Sequence, residues 1–440
     1  MKVKALSRSS STYERERVED IHRVQRNLDP TAHPFERGRE YVRALNATKL
    51  ERLFAKPFVG ALSGHIDGVY SMTKHPHQLN SVISGSGDGE IRIWELSEQK
   101  TKWSARAHSG IVNGVCAGHQ NQNFMSCSTD KTVKVWNFAS SDEPIQTYVG
   151  QYAFTGLTHH RDEPIFATAG NTVDVWDENR SEPVQQFEWG ADSYQSVTFN
   201  PVETNILASS GTDRTITLYD LRTSKPLSKI VMAMRTNKIA WNPMEAFSFV
   251  AANEDHNAYL FDMRYMDTAQ NVFKDHVSAI MDVDYSPTGQ EIVTGSYDRT
   301  LRIFNTRHGH SRDVYHTKRM QRIFSVQFTM DSKFVLSGSD DGNIRLWKTK
   351  ASEKLGVKGY RERNHLEYAQ SLKDRYKHMD EIKRIDRHRK VPGDIKRADR
   401  LKKTMLASQK RKEENRRKHT DQDESKPVSE RKKAIVGVAK

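Results

Sequence analysis

The chain has 440 residues, with 69 Lys and Arg against 56 Asp and Glu, and only two cysteines, Cys116 and Cys127. No apolar run approaches the ~18–20 residues of a membrane span, and the Lys/Arg/Ser-rich N-terminus has no secretory apolar core. This argues against membrane and disulfide-framed secreted readings and leaves two buried free thiols in a reducing compartment.

The net charge of +13 is unevenly spread: residues 1–56 carry 13 basic against 8 acidic side chains, residues 57–347 carry 26 against 33, and residues 348–440 carry 30 against 15. A mildly acidic middle between two basic ends predicts that a polyanion is met by the ends.

In chain order, residues 1–56 form a basic arm. Lys2, Lys4, Arg8, Arg15, Arg17, Arg23 and Arg26 lie in a stretch without apolar periodicity. From Arg39 to Phe54 the separations of Tyr41, Val42, Leu45, Leu50, Leu53 and Phe54 become helical. Thr48-Lys49-Leu50-Glu51 fits a capping box, which predicts two short helices meeting near Asn46.

Residues 57–347 repeat. A β-branched strand ending in an aromatic recurs at Trp94, Trp136, Trp176, Tyr219, Phe261, Phe304 and Trp347, at spacings of 42, 40, 43, 42, 43 and 43. Six residues before each aromatic stands Asp88, Asp130, Asp213, Asp255, Asp298 or Asp341; the third repeat has Gly170 instead. A period of roughly 40–45 residues with this ending resembles the WD repeat, four strands to a propeller blade. The predicted fold is all-β: a seven-bladed WD-repeat β-propeller with a helical N-terminal arm and a basic, mainly helical C-terminal extension over 348–440. Because the seventh repeat stops at Trp347, the strand-like Phe58-Val59-Gly60-Ala61-Leu62 is expected to supply its fourth strand.

The WD resemblance implies a buried network of His, a strand Ser or Thr, the turn Asp and the Trp. It assigns His65 with Ser84 or Ser86, Asp88 and Trp94 to one set. His108, Asp130 and Trp136 form a second, and His276 with Asp298 a third. The other blades lack the His and are expected to hold by packing alone.

A Ser, His and Asp pattern that recurs in several repeats suits a structural network, since a catalytic triad occurs once and needs an exposed nucleophile. Gly85-Ser86-Gly87-Asp88-Gly89 precedes a strand where a phosphate loop would precede a helix. His159-His160 and His308-Gly309-His310 have no further ligands at metal spacing. The expectation is no enzyme, no catalytic residue, no metal and no cofactor. Asp220-Leu221-Arg222 and Asp262-Met263-Arg264 resemble the box by which some WD proteins dock on a cullin-RING ligase adaptor; the plainer reading pairs each Arg with a neighbouring blade.

Past Trp347, apolar positions predict helices over about 361–379, a shorter piece through Ile382 and Ile385, and a third from Asp394 to about His419. The cations Arg384, Arg387, Arg389, Lys390, Lys396, Arg397, Arg400, Lys402, Lys403, Lys410, Arg411, Lys412, Arg416, Arg417 and Lys418 greatly outnumber the nearby acids, and are the candidate phosphate contacts to RNA. Ala434-Ile435-Val436-Gly437-Val438 is strand-like and expected to dock on a partner or on the propeller.

Met1-Lys2-Val3-Lys4, His33-Pro34-Phe35-Glu36, the run Arg39 to Arg52, Asn242-Pro243-Met244-Glu245-Ala246-Phe247, Ala252-Asn253-Glu254-Asp255 and Ala351-Ser352-Glu353-Lys354-Leu355-Gly356 resemble the suppressor-of-fibrillarin type of WD-repeat protein. The resemblance implies a scaffold of the small-subunit processome in the nucleus and nucleolus. Its implied partners are pre-ribosomal RNA, box C/D snoRNA and other processome proteins, WD-repeat proteins among them. Animal members of that family are also described as receptors of a cullin-RING ubiquitin ligase.

Overall fold

The computed structural model describes residues 31, 33–118, 123–138, 143–188, 193–223, 225–420 and 428–439. The basic residues Lys2 to Arg26 of the arm lie outside them. The chain separates into two compact units, residues 1–56 with 352–388, and residues 57–351 with 389–440. This division differs from the three segments 1–56, 57–347 and 348–440, because the first part of the C-terminal extension folds with the N-terminal helix.

The larger unit contains seven antiparallel sheets. Blade 1 is built from Val69–Lys74, Ser81–Ser86, Glu90–Glu95 and Lys100–Arg106. Each following blade repeats this order, and the second strand of every blade is almost wholly buried, as in Ser81–Ser86 and Ile206–Gly211. Burial on both faces explains why these strands are small and β-branched: neighbouring blades press on them from either side. The aromatics ending the third strands, Trp94, Trp136, Trp176, Tyr219, Phe261, Phe304 and Trp347, are at most 2% exposed.

Before the third strand of every blade but the third, the chain reverses at an Asp followed by a residue in the left-handed region: Gly89, Lys131, Arg214, His256, Arg299 or Gly342. The Asp makes this turn affordable, because its carboxylate accepts the N–H two residues on, as Asp130 does from Thr132 (3.0 Å) and Asp298 from Thr300 (2.9 Å). At Gly89, φ +85°, a Cβ would sit 2.1 Å from His108 O, so a side chain is barred there on two counts.

Blade 7 consists of Ile323–Phe328, Phe334–Ser339, Asn343–Lys348 and the N-terminal strand Phe58–Ser63. Leu62 pairs with Ile344 and Ala61 with Arg345, so the two ends of the ring are stitched in one sheet. A single sheet edge elsewhere is covered: Ile435–Ala439 adds a fifth strand to blade 4, with Val438 opposite Ile230 and Ile435 opposite Met232. Its neighbour Ala434 enters the core shared by blades 4 and 5.

In the smaller unit, α1 (Glu36–Leu53), α2 (Tyr360–Tyr376) and α3 (Asp380–Arg387) surround Ala44, Leu372 and Ile382, flanked by Tyr41, Leu45 and Tyr376. Polar contacts frame this small core: Tyr41 donates to Glu381 (2.9 Å) and Arg375 to Glu40 (2.8 Å). The expected break near Asn46 is corrected. One helix runs through, because the Thr48 hydroxyl donates to Ala44 O (2.8 Å) inside the helix and does not cap a new one. Among the described residues no helix is long and apolar enough to cross a membrane.

Candidate nucleic-acid interface

The structural network comes first, because it fixes the ring that carries the interface. In the second set, His108 Nε2 lies 2.8 Å from Ser126 Oγ, which also accepts Trp136 Nε1–H (3.0 Å); His108 Nδ1 lies 2.9 Å from Asp130. Blade 6 repeats the arrangement, with His276 2.7 Å from Thr294 and 2.9 Å from Asp298. Burial pushes both histidines below their usual range and so keeps them neutral. Asp298 feels burial raising it, but His276 and Thr300 outweigh that and hold it well below the carboxylate range.

Blade 1 departs from the expected set. His65 and Trp94 both meet Ser84, at 2.6 and 2.7 Å, yet His65 Nδ1 faces Glu90 (3.4 Å), and Asp88 caps its own turn by accepting Glu90 N–H (3.1 Å). Glu90 reaches the ring because its longer side chain spans the gap left when Asp88 turns inward to the backbone. His65, Asp88 and Glu90 bring candidate ligand atoms within 4.8 Å of one another, but Arg92 already neutralises Glu90 at 2.8 Å.

Packing alone is also not the rule in the blades without His. In blade 7 Arg345 pairs with the turn Asp341 and donates to Ser339 (2.7 Å), while Trp347 donates to a different serine, Ser337 (2.9 Å). In blade 3 Trp176 donates to Thr168 (2.9 Å) and stacks on Phe166 at 1°. The alternation in Ile344-Arg345-Leu346 was the signal for Arg345: an Arg on the buried face of a strand needs an acid.

The two Asp-x-Arg boxes sit at equivalent places in blades 4 and 5. Among the described residues neither Arg pairs with a neighbouring blade. Arg222 grips its own Asp220 through Nε (3.0 Å) and Nη2 (2.8 Å), and Arg264 grips Asp262 in the same way at 3.1 and 2.8 Å. Two residues is the spacing at which a guanidinium can fold back bidentately. Those bonds lower both carboxyls and raise both guanidiniums. Arg264 also lies over the Phe247 ring, 4.3 Å from its centroid. Each guanidinium remains more than half exposed.

The basic candidates divide between the units. Arg384 and Arg387 are exposed on α3 of the smaller one. The rest belong to the larger, in which Gly393–Lys418 forms the 26-residue helix α4 with no buried residue. Asp394 in its first turn and Arg416, Arg417 and Lys418 in its last suit the helix dipole. Along it Lys396, Arg397, Arg400, Lys403, Lys410, Arg411, Lys412, Arg416 and Lys418 are exposed. Lys403 pairs with Asp399 (2.6 Å) and Arg417 with Glu413 (3.4 Å).

Two candidates are withdrawn from solvent. Arg389 donates to Arg312 O and lies 3.7 Å from Asp313, with only 16% of its side chain exposed. Lys402 donates to His276 O (2.9 Å), and burial lowers its pKa. Lys390 stays exposed, its carbonyl accepting from His316 (3.1 Å). Nothing in the local sequence separates Lys402 from Lys403; only the docked helix does.

Comparison with known proteins follows from this geometry. A family profile described as "Sof1-like domain" matches residues 349–435, and one described as "WD domain, G-beta repeat" matches 56–95, 99–137, 268–305 and 306–348. The chain is 53% identical over 465 residues to Protein SOF1 of Saccharomyces cerevisiae, covering 99% of this chain and 95% of that protein. It is 51% identical over 443 residues to DDB1- and CUL4-associated factor 13 of Xenopus laevis and 51% identical over 445 to the protein of that name in Homo sapiens, with both chains covered completely in each case. Among solved structures, the WD40 β-propeller domain of Doa1 matches with a TM-score of 0.59 at 20% identity, over 68% of this chain and 99% of that one, a likeness of fold alone.

Proposed function

The chain belongs to the Sof1 family of WD-repeat proteins, and from that premise we propose that it is a scaffold of the nucleolar small-subunit processome, holding pre-ribosomal RNA, box C/D snoRNA and protein partners for maturation of 18S rRNA. The WD-repeat ring is a non-catalytic scaffold fold. The observation that carries the RNA reading is α4: a continuous helix in which most cations are exposed, attached to a ring of opposite net charge. Phosphate contacts from such a helix position without specifying sequence, so its binding falls steeply with salt.

Sedimentation of the tagged protein before and after ribonuclease tests the reading. Migration in a large particle that ribonuclease collapses supports it; migration as a small species in both samples overturns it.

A second reading rests on the paired boxes. The relatives' printed name, DDB1- and CUL4-associated factor 13, together with exposed Arg222 and Arg264 at equivalent sites of consecutive blades, supports docking on a cullin-RING ligase adaptor. Ribonuclease-insensitive recovery of that adaptor, lost on Arg222→Ala with Arg264→Ala, is the result this reading predicts. Recovery unchanged by the double substitution contradicts it.

A further inference from the structure

We propose that α4 is a rod fixed to the ring at two points so that its free face lies along the backbone of duplex RNA. The inference rests on the RNA-binding reading above and sharpens it from polyanion to folded RNA.

The first point is Lys402, whose ammonium donates to His276 O at the rim of blade 6. The second is Glu413, whose carboxylate meets Lys433 Nζ at 3.4 Å. Lys433 ends α5 (Glu430–Lys433), and the strand that follows is hydrogen-bonded into blade 4. Lys402 and Glu413 are eleven residues apart, about three turns at 3.6 residues per turn, so both anchors lie on one face of the helix. One anchor would leave the helix free to roll; two on the same face fix which side is turned outward.

The side turned outward carries Lys396, Arg397, Arg400, Arg411 and Lys418, all exposed. At 1.5 Å per residue this row spans about 33 Å. Glu414 is the one acid interrupting it, so the row keeps a cationic balance, concentrated toward its two ends.

What the helix lacks selects the form of RNA. From Gly393 to Lys418 there is no Phe, Tyr, Trp or His. Proteins that hold single strands combine a cationic groove with aromatic platforms for unstacked bases. Duplex RNA keeps its bases stacked internally and is held through phosphates and 2′-hydroxyls by shape. A stiff, cationic, aromatic-free rod has the phosphate contacts that a duplex needs and none of the stacking platforms that a single strand uses. Its fixed roll adds the remaining advantage, since a regular backbone rewards cations held in register.

The test uses the full chain and measures anisotropy with a labelled RNA duplex of about 16 base pairs and a uridine strand of the same length. The duplex is expected to bind about tenfold or more tightly than the strand, both weakening with salt. Lys396→Glu with Arg400→Glu and Arg411→Glu is expected to weaken duplex binding by about a hundredfold or more at an unchanged melting temperature. Lys402→Gln, which frees one anchor, is expected to bring the duplex-to-strand ratio toward one while salt-dependent binding persists. A strand bound as tightly as the duplex overturns this inference and leaves the RNA reading standing. A ratio untouched by Lys402→Gln overturns the anchoring, and binding to neither probe overturns both.

Discussion

The ring and α4 use their side chains in opposite ways. In the second strand of blade 4, Ile206–Gly211, every residue is buried; in α4 none is, over 26 residues. In the ring, ionisable side chains taken into the interior are held against a partner, as at Arg345 with Asp341 and His276 with Asp298. On α4 charge is displayed, and four acids stand against eleven Lys and Arg between Gly393 and Lys418. Buried polar groups demand satisfaction because an unpaired one costs stability, whereas exposed cations cost little and remain free to meet another molecule. The difference teaches that the ring's polar residues answer to folding, while the helix's are left for the binding proposed above.

The largest way to break this comparison is to open the ring. Deleting residues 57–63 removes the strand paired with Asn343–Lys348 and exposes a buried sheet edge. A melting temperature lowered by about 10 °C or more, with oligomers in light scattering, is the expected outcome. A stable monomer from this deletion would show that closure lies elsewhere.

Next in size is Trp136→Ala. Trp136 is 2% exposed and donates to the serine that His108 also meets, so the loss combines a cavity with a broken network. About 3–5 kcal/mol is expected in denaturant unfolding. By contrast, Leu401→Ala on α4, where Leu401 is 64% exposed, should change stability by less than about 0.5 kcal/mol.

A pH dependence sharpens the same contrast. His108 and His276 have lowered values in the folded ring, so the unfolded chain binds more protons below about pH 6.5. Their contribution is complete above that point and declines as the pH falls. Asp298, also lowered, adds a loss in the same direction below about pH 4. Melting temperature should therefore fall between about pH 7.5 and 5.5, and His276→Gln should flatten the profile while lowering its plateau. Helicity contributed by α4 should not follow that curve.

The smallest effect is expected from Arg222→Ala: its guanidinium is exposed and clamps only its own Asp, so unfolding should shift by less than about 1 kcal/mol. A larger loss would mean that the box is structural.

Much of the ring was legible because a repeat of fixed length must bury the same positions each time. The aromatics, the turn aspartates and the closing strand Phe58–Ser63 follow from that period, and the limits of α4 follow from Pro392 and the end of apolar spacing near His419. What was not legible depended on side-chain reach or on docking. Glu90 and Asp88 are two residues apart and both acidic, so only the turn's own hydrogen bond decides which one faces His65. Thr48 followed by Glu51 is equally a cap or a mid-helix pair until its hydroxyl is seen on Ala44 O. The apolar faces of α1 and α2 were visible as faces, but their sequence separation hid that they cover each other. Lys402 and Arg389 look like their neighbours and differ only in what the folded ring places beside them.

The most direct test of the central claim is a map of RNA crosslinks on the intact protein, read by mass spectrometry at residue level. Crosslinked peptides from residues 396–418, with the blade surfaces silent, are the predicted result. Crosslinks confined to the blades, with α4 untouched, would contradict the separation of a partnered ring from a displaying helix.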